Sequence, residues 1–139
     1  MRQDSAAGTV DTATVACLSG SPGVAVGLGS TAFELAADEV DAQAGAQGGH
    51  HLYFAFRGTG LDVSDWTTVW ITGTVKDRLV LEQGAQLGFA CLDDGTALAT
   101  GLLVGLPEEE HDEDFVFVVK LTDAGGTEVT DSMALQVHY

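Results

Sequence analysis

At 139 residues and 45% apolar content, the chain is long enough to bury one core and too apolar to stay disordered, even at a formal charge of −16. Its 21 Asp and Glu face only five Lys and Arg, so its field repels phosphate backbones and anionic lipid heads, which excludes nucleic acid as a partner. No apolar run reaches the ~18 residues that a membrane-spanning helix needs, so membrane insertion by helices is excluded as well.

Residues 1–10 read as an unanchored tail, and 11–139 as a single domain without internal repeat or composition break. The start, Met1-Arg2-Gln3-Asp4-Ser5-Ala6-Ala7-Gly8, lacks the apolar stretch of a signal peptide and reads as a mature N-terminus with an added initiator Met. Thr9 to Leu18 is apolar enough to pair with a neighbour's sheet edge through Val10, Val15 and Leu18. Cys17 and Cys91 both sit in apolar alternating segments. An even count placed on strands predicts a disulfide between them, with two buried free thiols as the competing reading.

Period-two alternation dominates from there on. Val24 to Leu28 and Thr31, Phe33 and Leu35 predict short strands, and 33–46 a strand plus an extended loop rather than a helix. Leu52, Phe54 and Phe56 alternate with Tyr53, Ala55 and Arg57; Val69, Ile71, Gly73 and Val75 alternate with Thr68, Trp70, Thr72 and Thr74. Leu87, Phe89 and Cys91 define another strand, closed by the turn Asp93-Asp94-Gly95, and Leu98 to Leu106 a less regular one. Phe115 to Thr122 and Val129 to Tyr139 flank Asp123-Ala124-Gly125-Gly126-Thr127, which predicts a β-hairpin. Together these predict an all-β antiparallel sandwich of about eight or nine strands.

The last two strands carry a resemblance. Thr122-Asp123-Ala124-Gly125-Gly126 and Thr130-Asp131-Ser132-Met133-Ala134-Leu135 resemble the final strands of bacterial immunoglobulin-like domains. Gly45-Ala46-Gln47-Gly48-Gly49-His50-His51, with Arg57-Gly58-Thr59-Gly60-Leu61-Asp62, looks like an element of secreted proteins and lipoproteins of high-GC bacteria, myxobacteria among them. The resemblance implies an extracytoplasmic immunoglobulin-like sandwich with no stated activity. The chain departs from the antibody pattern: no Trp follows Cys17, and Phe89 stands where a Tyr would precede the second Cys.

Candidate chemistry is sparse. His50 and His51 would ligate one metal only if the segment is loop, since neighbouring strand residues point to opposite faces; otherwise one packs and the other is solvated. The acidic run 108–114, with Glu110, His111, Asp112 and Asp114, has the hard oxygen donors of a calcium site and is otherwise a solvated, exposed loop. Trp66 and Trp70, with Tyr53, would offer a stacking surface for sugars, but core packing is the favoured placement. No nucleophile elbow, Cys-x-x-Cys pair or phosphate loop is present, so a non-enzymatic structural or adhesive module exported across a membrane is expected. Its expected partners are copies of itself or another surface protein. The alternatives are a carbohydrate- or metal-binding module working through its end loops and, with the least support, a hydrolase with a dispersed acidic site.

Overall fold

The computed structural model describes residues 17–46, 48–110 and 112–139. Ten strands follow one another: β1 (Gly23–Leu28), β2 (Glu39–Asp41), β3 (Gln43–Ala44), β4 (His50–Thr59), β5 (Thr67–Val75), β6 (Arg78–Leu87), β7 (Ala90–Cys91), β8 (Ala97–Leu106), β9 (Glu113–Thr122) and β10 (Glu128–His138). They form two five-stranded sheets, one ordered β1-β4-β8-β7 with β3 also on β4, the other β2-β10-β9-β5-β6. Every pairing between these strands is antiparallel except that of β2 with β10. This is a β-sandwich, as the alternation predicts.

The two sheets meet through the residues of one parity. Phe54 and Phe56 of β4, Val69, Ile71 and Val75 of β5, Val104 of β8, and Phe115, Phe117, Val119 and Leu121 of β9 are fully buried. Phe54 meets Phe117 edge to face at 5.1 Å across the sheet interface, while Phe115 and Phe117 stack at 5.3 Å within β9. Burial on this scale dominates the folding free energy; truncating one such Phe typically costs about 3–5 kcal/mol.

Ala55, between two inward phenylalanines, is buried as well: its partner on β1 is Gly27, over which the segment holding Phe33 and Glu34 folds, and the β4–β8 register shifts beside it. Opposite that shift stands Gly101, whose φ of 77° favours glycine. The segment 29–35 is no strand. It makes a single bridge from Glu34 to Leu28, and Leu35 stands exposed, so the period-two reading of Thr31, Phe33 and Leu35 does not hold. The segment folds back so closely that a Cβ on Gly27 would lie 2.3 Å from the Glu34 carbonyl, and Phe33 lies 5.0 Å from the Arg57 guanidinium.

The strand predicted over 87–91 breaks at Gly88. Its first part belongs to β6, which starts ten residues earlier, and its second part is the two-residue β7. The tight β5–β6 turn places Lys76 and Asp77 at φ 53° and 63°, a conformation that Asn-Gly would have advertised and Lys-Asp does not. The predicted 123–127 turn is present: the Asp123 N–H donates to the Thr127 carbonyl at 2.9 Å.

Cys17 and Cys91 are joined by a disulfide with a Cα–Cα distance of 5.9 Å across 74 residues. By loop-closure entropy it contributes about 4 kcal/mol. It ties the residue range before β1 to the edge strand β7 instead of crossing between the sheets. Inside the core, the Thr67 hydroxyl is fully buried without a hydrogen-bond partner among the described residues. Thr67→Val keeps the shape and removes that orphaned group, so urea unfolding should show a gain of about 1 kcal/mol. A loss of that size would mean that the hydroxyl has a partner.

Candidate binding surfaces

The alternation of β4 sends its two histidines apart. His50 lies at the β3–β8 end of the strand, its Nδ1 3.0 Å from Glu108 Oε1 and its ring stacked on Tyr139 at 4.8 Å. His51 points to the outer face and meets Tyr53 edge to face at 5.0 Å. The pair does not converge on one point. Tyr139 in turn donates its hydroxyl to the Pro107 carbonyl at 2.6 Å. Burial, and then the carboxylates of Glu108, Glu110 and Glu109, push that phenol up to about 12.

The acidic run does not behave as a uniform solvated loop. Residues 108–110 form a 3₁₀ turn, and Glu110 is only 5% exposed. Its carboxylate accepts a 2.7 Å bond from Arg78 Nη1, and that bond, with the charge behind it, raises the guanidinium above its ordinary value. The expectation of full exposure is therefore corrected at Glu110 by a cation brought from β6. Asp112 accepts or shares a proton with His138 Nδ1 at 3.0 Å, and Glu39 does so with Nε2 at 2.7 Å. Asp114 stays exposed on β9, opposite Gln136 of β10, and Glu113 pairs with Lys76 at 3.6 Å.

Among the described residues no group of three or more His, Cys, Asp or Glu is arranged to hold a metal ion. Glu110 faces Arg78, and both His138 nitrogens already face carboxylates. His111 of the candidate calcium set, and Val10 and Val15 of the assembly segment, lie outside the described residues. Leu18 is exposed at 48%.

A second cluster joins the loops at the opposite end. Asp123 is buried and accepts from the backbone N–H groups of Asp62 (2.8 Å), Gly125 (3.0 Å) and Thr127 (2.8 Å). The Ala124 N–H returns a bond to the Asp62 carbonyl. Asp62 accepts from the Ser64 N–H and hydroxyl, and Asp65 from the Trp66 N–H at 2.7 Å. This chain of short-range bonds fixes the path that leads into β5. In the β7–β8 turn, Asp94 takes bonds from the Thr96 hydroxyl and N–H, which hold its carboxyl below the usual range.

Both tryptophans lie on the surface, Trp66 at 60% and Trp70 at 43% exposure, so the expectation of core packing is corrected. Inward parity on β5 belongs to Thr67, Val69 and Ile71, which leaves Trp66, Thr68 and Trp70 the outer face. Tyr53 is on the other sheet and shares no surface with them. No protein-family model, curated protein or solved structure matches this chain.

His138 carries a testable pH signature. Hydrogen bonds that its ring donates to the carboxylates of Glu39 first, then Asp112, raise its pKa above the ordinary 6.5. The folded state therefore holds the proton more tightly than the unfolded one. That contribution is fully present below the unfolded value and is lost as pH rises through the folded one. The melting-temperature gap between the native protein and His138→Gln should be wider near about pH 6 than near about pH 9. A gap that grows with pH would contradict the assignment.

Proposed function

We propose that the chain is a non-enzymatic, extracytoplasmic structural or adhesive module of immunoglobulin-like build that associates with copies of itself by strand addition. The observation that carries this reading is an open flank. Among the described residues, β6 pairs only with β5, and β8 beyond Leu98 pairs only with β4. Gln83 of β6 donates from Nε2 to the Leu103 carbonyl of β8 at 2.9 Å, which caps that one acceptor and leaves the rest of both edges unpaired by strands on one side of the sandwich. Long unpaired edges are templates for another strand.

The opposite flank is closed. The Val26 N–H donates to Asp131 Oδ2 at 2.8 Å, and Leu28 and Glu34 exchange two backbone bonds. An added strand is thereby directed to β6 and β8, and the part of the segment Thr9 to Leu18 that precedes the tethered Cys17 is the proposed donor from a neighbouring copy. Cys17 is tethered to β7, beside β8, on that same flank.

Strand order supports the immunoglobulin-like reading. With β1, β4, β5, β6, β7, β8, β9 and β10 taken as A, B, C, C′, D, E, F and G, the sheets run A-B-E-D and G-F-C-C′. The bridge supports an oxidising compartment. No helix among the described residues is long and apolar enough to cross a membrane. A metal-binding role for the end loops has less support, because Glu110, Asp112 and His50 each face another side chain there.

Light scattering coupled to size exclusion decides the matter. The full chain should form concentration-dependent oligomers, and residues 17–139 should keep the strand spectrum and run as a monomer. A monomeric full chain, or an equal mass for both forms, rejects strand addition.

A further inference from the structure

Glycine inside a strand weakens it and needs a reason. In β6 and just beyond it, Gly84 and Gly88 have the same outward parity, and each lies under a tryptophan. A Cβ on Gly84 would come within 3.0 Å of Trp70 Cε3 and Cζ3, and one on Gly88 within 3.8 Å of Trp66 Cζ3. At Gly84 the missing side chain lets the Trp70 indole settle onto the outer face of the sheet, while at Gly88 a Cβ would only make ordinary contact with Trp66; 60% of Trp66 and 43% of Trp70 stay open to solvent. An exposed indole costs the protein solubility, and two on one face, each seated over a glycine, form a shaped apolar surface.

From this geometry we infer that Trp66 and Trp70 form a two-point platform for an uncharged, extended polysaccharide chain. Three features select that ligand. First, the indoles are four residues apart along an extended strand, about 13 Å, so a single sugar ring touches one and only an oligomer bridges both. Secondly, pyranose rings with equatorial hydroxyls present flat C–H faces that stack on indoles, and their hydroxyls need polar neighbours. Thr68 stands between the tryptophans, with Gln86 opposite it on β6; Thr122 and Lys120 are the β9 partners of Thr68 and Trp70. Thirdly, a net charge of −16 opposes acidic chains, so a neutral one is favoured.

The platform is also held ready. The Asp65 carboxylate fixes the Trp66 N–H, and Asp123 anchors the start of the same loop at Asp62. These bonds hold the backbone that carries Trp66, so less of the loop is left to order on binding. Two stacking points about 13 Å apart along one extended strand favour ribbon-like β-linked chains over coiled α-linked ones. This site is separate from the β6–β8 flank proposed for strand addition, and either can fail without the other.

The test is calorimetric titration of the full chain with cellohexaose, xylohexaose and chitohexaose, with the matching disaccharides as short controls. At least one hexamer should bind, its disaccharide weaker by roughly tenfold or more. Trp66→Ala and Trp70→Ala should each reduce hexamer binding to disaccharide level, and Trp70→Tyr should recover part of it. Both variants should keep the native strand spectrum, Trp66→Ala with a near-native melting temperature and Trp70→Ala with a modestly lower one, since part of the Trp70 indole packs on the sheet. The inference is overturned if no hexamer binds, if affinity ignores chain length, or if either alanine variant binds as the native protein does. It is equally overturned if the full chain binds no sugar and its oligomers dissociate on Trp70→Ala, which would mean that a second copy covers the platform.

Discussion

The contact of Phe54 with Phe117 across the sheet interface, and the alternation that it locks, is the constraint from which the rest of this molecule follows. In an extended strand each residue fixes the facing of the next. Once Phe115, Phe117, Val119 and Leu121 are committed to the interior, Val116, Val118 and Lys120 must face out. β5 lies beside β9 with Trp70 opposite Lys120, so the same decision turns Trp70 to solvent. A one-residue slip of β5 would bury both tryptophans and expose Val69 and Ile71, which makes the register expensive to alter.

Charge is managed locally rather than by balance. With 21 acidic residues and five Lys and Arg, most carboxylates can have no cationic partner. At one end of the sandwich the available cations are spent on specific acids: Arg78 on Glu110, Lys76 on Glu113, and His138 between Glu39 and Asp112. At the other end Asp123 uses backbone N–H groups instead, and serves as the anchor of two loops. The outer face between these ends carries Thr, Val, Ser and Ala, with Glu82 on β6 and with Lys120, which pairs with Glu128; this leaves it the less charged part of a strongly negative body.

Much of this was legible in the sequence, and the gaps have physical causes. Leu52 to Arg57 and Thr68 to Val75 alternate because one face of each is buried, and the 115–139 hairpin is marked by its Gly-Gly turn and two β-rich runs. β6 was missed over most of its length because, as an edge strand, it is half-exposed on both faces, and because Lys76-Asp77 hides a turn that needs positive φ. Periodicity told which residues share a face with Trp70 but not which face was inside; on β9 both parities are apolar, so local hydrophobicity gave no vote. Gly84 held part of the missing signal, since a glycine inside a strand marks a place where another group approaches the sheet closely. Glu110 could not be placed from its neighbours, because its partner Arg78 is 32 residues away in sequence. The disulfide was readable as a pairing of two cysteines, but its location at the β7 edge was not.

Facing is the claim on which the surfaces depend, and the chain has only two tryptophans, Trp66 and Trp70, so fluorescence excited at the red edge, where Tyr53 and Tyr139 do not absorb, reports on it. The most direct measurement is quenching by acrylamide, a neutral quencher that the net charge does not repel, in the native protein and in urea. The account predicts red-shifted native emission, quenched nearly as strongly as in the unfolded chain. Blue-shifted native emission, shielded from acrylamide and released only on unfolding, would place the indoles inside and contradict it.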